Sequence, residues 1–306
     1  MSTLSDAAAA PAAARKVRPF YWSVRRELWE NRAIYLAPLA VAGVVLAGFL
    51  FHLRGLSRDV LAAGGPQLAK DAARTAFALQ IPYIAAAGAV FVTALGVAVF
   101  YCLGALHGER RDRTVLFWKS LPVSDGATVL AKVSVPLLVL PVVVFTVVVA
   151  TQLVILALSA AVLLAAGVSP GLLWAHLQLP LIWAMLPYGL AVNALWYAPI
   201  VGWLLLVSAW ARRMTFVWAV APPLALSLFE LLAFHTHYVW SLVNERLMGG
   251  LALAFSVGGQ GKAPIQSLSQ VDPSLVLANP GLWGGLAFGA ACLAACVWLR
   301  RTRDPI

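Results

Sequence analysis

Charge is what this 306-residue chain has least of. Only 11% of its residues are Asp, Glu, Lys or Arg, less than half the usual share of a soluble domain, about 25%. With 62% hydrophobic residues and a mean hydropathy of +0.86, this composition excludes an ordinary soluble globule and predicts an all-α integral membrane protein. Cysteine is nearly absent: Cys102, Cys292 and Cys296 all fall inside apolar runs and form no CxxC pair, which excludes a disulfide framework. Cys292 and Cys296 share a helix face as small packing residues. Acids are scarcer than bases, 12 against 22, for a net charge of +10. In a membrane chain that excess reads as Lys and Arg held on the cytoplasmic side rather than as a nucleic-acid surface.

Catalytic and nucleotide-binding patterns are missing too. There is no HExxH and no GxSxG. The nearest approach to a phosphate loop, Gly258 to Lys262, has Ala263 where Ser or Thr is needed and Ser256 where the first Gly belongs. Nothing marks the chain as an enzyme by itself, and any ATP that drives it is hydrolysed by another subunit.

What is present is a series of apolar runs. About 20 residues cross a 30 Å hydrocarbon layer, and six spans are expected at about 33–53, 81–106, 127–168, 177–210, 216–234 and 281–299. The run at 127–168 is either one long tilted helix, kinked at Pro136 and Pro141, or a hairpin of two. Charge parity decides. With one helix, sixteen Lys and Arg residues lie on the side of both termini and six on the other, whereas a hairpin would put Arg212, Arg213 and the C-terminal arginines outside. The expectation is six spans, both termini cytoplasmic and no obvious internal repeat.

Residues 1–14 are rich in Ala, Pro and Ser and expected to be disordered. A cleaved signal peptide is not expected, because a basic amphipathic segment, 15–32, precedes the first apolar run. Its Phe20, Val24 and Leu28 recur every four residues, and Trp22, Trp29, Arg25 and Arg26 mark an interfacial helix facing headgroups and cytosol. The outer segment 235–280 contains an amphipathic stretch, 238–248, read as a surface or re-entrant helix over the outer end of the bundle, and a Gly/Ser/Gln-rich part, 256–272, read as mobile. The short tail 301–306 is cytoplasmic.

Few polar groups fall at membrane depth. Glu230, in the fifth span after Pro222 and Pro223, is either a functional acid at membrane depth or a carboxyl near the outer interface, protonated or paired with His235 or His237. His235-x-His237 lacks the further ligands of a metal site, and no metal is expected. His52 and His176 sit at span ends. Asn193 is either an interhelical hydrogen bond or a pathway residue. Pro180, Pro187 and Pro199 imply kinks in the fourth span.

The segment around which the chain is organised is 107–125, HGERRDRTVLFWKSLPVSD, the longest strongly charged interruption between apolar runs. As a helix it has a polar side and an aromatic side, and Pro122 ends it. It is either a solvated loop held at the headgroups or a short surface helix offered to a soluble partner. Residues 103–124, with Lys132 at the start of the next span, resemble the permeases of the type-2 exporter family of ATP-binding-cassette (ABC) transporters, in which the second span runs into E-R-x-x-g-T-x-x-f-x-k-S-L-P-v-s. Glu109, Arg110, Thr114, Phe117, Lys119, Ser120, Leu121 and Pro122 match, and Arg113 replaces a small residue. The resemblance implies that 109–122, Arg113 included, is a coupling helix against a separate ABC ATPase carrying ATP and Mg. It further implies that two permease protomers and two ATPases assemble in a bacterial cytoplasmic membrane. The N-terminal helix would then lie beside the coupling helix, and the substrate would pass between the second and fifth spans of two protomers. Two other classes remain: an ion-coupled carrier using Glu230, and a non-transporting scaffold or sensor.

Overall fold

The computed structural model describes residues 19–62, 72–112, 124–165, 167, 169, 171, 177–254 and 272–302. Among them every regular element is helical: α1 (Pro19–Glu30), α2 (Ala33–Ala62), α3 (Ala72–Ala105), α4 (His107–Arg111), α5 (Asp125–Ser134), a π-helical turn (Val135–Val139), α6 (Leu140–Ala165), α7 (Leu179–Trp210), α8 (Thr215–Phe234), α9 (Tyr238–Ala254), α10 (Pro273–Leu277) and α11 (Pro280–Thr302). Among the described residues six helical stretches are long and apolar enough to cross a membrane. The residues expected to be disordered, 1–14, and almost all of the part expected to be mobile, 256–271, lie outside the described set, as does 303–306 of the tail.

The long apolar run is one continuous rod, α5, the π turn and α6, rather than a hairpin. Ser124 starts it, its hydroxyl accepting from the Ala127 amide at 3.2 Å. Asp125 in the first turn complements the helix dipole. Pro136 has no N–H to give the ladder, and the helix widens locally to a π turn there. The second and first spans continue helically beyond their expected ends, to Ala72 and Ala62, so that the polar stretch 54–80 between them, expected to be an outer loop with possible helix, is helical over 54–62 and 72–80.

The core lies in layers along the bundle. At one end Val90, Tyr101, Val129, Val144 and Leu205 pack together. Further along, Phe49, Tyr83, Ile155, Leu163 and Leu177 form a second cluster. Gln152 is buried beside it with both of its polar atoms bonded: its Nε2 donates to the Tyr83 carbonyl at 3.1 Å and its Oε1 accepts from Trp183 Nε1 at 2.7 Å. The tightest helix pair is α7 with α11. A Cβ at Gly202 would stand 3.0 Å from the Gly289 carbonyl oxygen, so glycine lets these two backbones touch.

α9 does not sit over the end of α7. Trp196 Nε1 donates to the Glu245 carbonyl at 3.1 Å and the Tyr197 hydroxyl to the Leu247 carbonyl at 2.7 Å. Both donors are about halfway along α7. α9 therefore packs against the middle of that helix, because Gly249 and Gly250 admit the Trp196 ring. α8, by contrast, is largely exposed, with Leu226, Leu228, Phe229, Leu232 and Phe234 open on its surface.

Candidate functional site

The base of the 107–125 segment is fixed by a serine. Ser208 Oγ donates to the Leu103 carbonyl at 2.8 Å and accepts from the amides of Leu106 and His107 at 3.1 and 2.9 Å. These bonds satisfy the amides freed where α3 turns into α4. His107 Nδ1 lies 3.2 Å from the Ala211 carbonyl, and the Arg110 guanidinium donates to the Ala209 carbonyl. The α3–α4 turn and the α7–α8 turn are thereby bound to each other.

Around this base lies a buried knot of charge. Glu27 of α1 is 2% exposed; it accepts from the Tyr101 hydroxyl at 2.8 Å, from Lys132 at 2.8 Å and from Arg26 at 2.9 Å. Glu109 of α4 receives Arg26 at 3.0 Å and Lys132 at 3.1 Å on one oxygen, and Arg300 of α11 at 2.6 Å on the other. Arg300 also pairs with Asp125 at 2.9 Å. Three acids, Glu27, Glu109 and Asp125, thus face three bases, Arg26, Lys132 and Arg300. Ions out of water are tolerable when so matched and hydrogen-bonded. At the rim Arg26 reaches Glu30 at 3.4 Å. Burial raises the Glu30 carboxyl above its ordinary value, against the pull of Arg26.

Two expectations change here. Glu109 and Arg110, expected on a partner-facing surface, turn into the bundle, because Lys132 and Arg300 need a counter-charge and the Ala209 carbonyl needs a donor. Arg26, expected to face anionic lipid or cytosol, turns toward Glu27 and Glu109. The other interfacial residues stay outside: Trp22 and Trp29 are exposed, and Arg25 lies over both rings, 5.1 and 4.6 Å from their centroids. The rest of the expected contact, Arg113, Thr114, Phe117, Lys119, Ser120, Leu121 and Pro122, lies outside the described residues.

The sequence reading missed Glu27 altogether. Its signal was indirect: Lys132 in an otherwise apolar run demands a buried acid, and Glu27 is one of the few acids available at that end.

Glu230 is buried, and among the described residues no basic side chain stands at hydrogen-bond distance from it. Its oxygens accept from Thr236 Oγ1 and from the amides of Tyr238 and Val239, each at 2.7 Å. The carboxylate therefore caps the N-terminus of α9, and neither His235 nor His237 takes the pairing the sequence suggested. Asn193 is 5% exposed, and its Oδ1 has no hydrogen-bond partner among the described residues, so that oxygen makes no interhelical bond. Among the described residues no group of three His, Cys, Asp or Glu side chains is placed to hold a metal. Comparison with protein families, with curated proteins and with solved structures finds no match to this chain.

Proposed function

We propose that this chain is the membrane-spanning permease subunit of an ATP-driven ABC exporter in a bacterial cytoplasmic membrane, working as one of two protomers with a separate ATPase that binds ATP and Mg. The observation that carries the reading is the ion-paired knot. It joins the base of the 107–125 segment, through Glu109, to α1, to the start of the long rod at Lys132 and Asp125, and to the end of α11 at Arg300. A push on a segment rooted this way is shared by helices from both ends of the sequence.

In this reading the partner contact is made by the far part of the segment, Thr114 to Pro122, with Phe117 and Lys119 central. Glu109 and Arg110 hold its root. The test is co-purification with the cognate ATPase. Phe117→Ala with Lys119→Ala should abolish ATPase association and transport while leaving the melting temperature unchanged. Full association and transport in that variant would remove the docking assignment. Glu230 gives the ion-coupled alternative no support, since its oxygens are occupied by the start of α9.

A further inference from the structure

The turn between α7 and α8, Ala211 to Met214, carries two cations in a stretch of chain that holds no acid. No Asp or Glu occurs between Asp125 and Glu230, yet Arg212 and Arg213 are adjacent and both exposed. The described acids at this end of the bundle, Glu27, Glu30, Glu109, Asp112 and Asp125, are each paired with other bases. Among the described residues neither Arg212 nor Arg213 enters an ion pair. The neighbouring segment 113–123 contains no acid that could reach them.

The surface around these arginines is apolar. Met214 is 72% exposed, and Phe216, Trp210 and Trp218 are open as well. The two indoles pack edge to face, 4.8 Å between centroids, and form an aromatic ledge that joins the end of α7 to the start of α8. Beyond it the exposed apolar surface continues along α8 through Val220 and Leu224. The turn is firmly mounted, since Ser208 and Arg110 tie it to the turn between α3 and α4. An ordinary solvated loop would set polar residues beside its cations. These cations instead stand where an exposed spanning helix begins, which is the depth of lipid phosphates.

We propose that this turn binds an anionic phospholipid, its headgroup on Arg212 and Arg213 and an acyl chain along Trp218 and the exposed surface of α8. Two cations without an acid call for negative charge, and the apolar surface beside them calls for hydrocarbon. A lipid of net negative charge supplies both in one molecule. An acidic protein surface would answer the arginines but leave Met214, Phe216 and the aromatic ledge uncovered. The site is independent of the exporter reading, because it needs only that α7 and α8 cross a membrane.

The experiment uses the full chain in dodecylmaltoside and a phosphatidylglycerol with a diazirine in its acyl chain, labelled peptides being mapped by mass spectrometry. Label is expected on 210–224. Phosphatidylglycerol should compete at a concentration about thirtyfold below that of phosphatidylcholine, from about 1 kcal/mol for each arginine. That gap should narrow as salt rises from about 0.05 M to about 0.5 M. In Arg212→Gln with Arg213→Gln the two lipids should compete equally at an unchanged melting temperature. Arg212→Lys with Arg213→Lys should keep most of the preference, and Arg25→Gln on α1 should keep all of it. Equal competition in the unaltered protein overturns the proposal and leaves the arginines to an acidic protein surface. A preference indifferent to salt, or one that survives the double Gln change, also overturns it. So does the absence of label from 210–224, a dimer in native mass spectrometry then pointing to a second copy on the turn.

Discussion

Lys132 is 2% exposed, and it touches both Glu27 and Glu109. Removing one member of such a group strands the rest. Lys132→Met should therefore lower stability by about 3–5 kcal/mol, read as the loss in a thermal melt in detergent. Lys132→Met combined with Glu27→Gln should lose less than the two single changes added together, because the second removes the charge the first left unpaired. Glu230→Gln acts locally. One carbonyl oxygen cannot replace two carboxylate oxygens, so the amides of Tyr238 and Val239 should exchange hydrogen about tenfold faster while amides along α7 are unchanged. What was legible at this scale was whatever depended on local spacing. Trp22, Arg25 and Trp29 share a side of one helix, and periodicity alone shows it. Arg26 and Glu109 were misplaced because their partners lie on segments far away in sequence, which no helical wheel contains.

Among the elements, the crossing of α7 and α11 is the most demanding of its residues. Gly202→Leu forces a side chain into the Gly289 backbone and the Cys292 side chain. It should cost at least the usual price of overpacking, about 1–3 kcal/mol, whereas Gly284→Ala, whose Cβ would meet nothing within 4 Å, should be neutral. Both are checked by melting temperature. Helices of this kind are readable from apolar runs and from Ser124, Pro136 and the charged breaks between them. The seat of α9 is not. Its amphipathic pattern announces a helix, but its place at mid-α7 rests on Gly249 and Gly250 meeting Trp196 and on Arg246 stacking 4.2 Å from that ring, contacts between residues some 50 positions apart.

For the molecule as a whole, the arrangement gathers one set of cations at one end. Lys132 and Arg300 meet through Glu109, and Arg110, on the same short helix as Glu109, holds the Ala209 carbonyl. Which face of the membrane this end occupies is open to a chemical test. The three native cysteines are buried, so a single introduced cysteine reports cleanly. Arg111→Cys should react with an impermeant maleimide only from the cytoplasmic side and Tyr238→Cys only from the opposite side. Reaction of both from the same side would overturn the topology.

Arg300 lies in α11, nearly 200 residues after Glu109, yet it neutralises Glu109 and Asp125, which are synthesised long before it. Until that helix is inserted, the acids of the knot outnumber its bases. A nascent chain in this state carries an unbalanced negative charge at its root and a loosely held first helix, features that membrane quality control can sense. Release of a protein cut short before Arg300 should therefore end in rapid degradation, so that only chains translated through Arg300 persist.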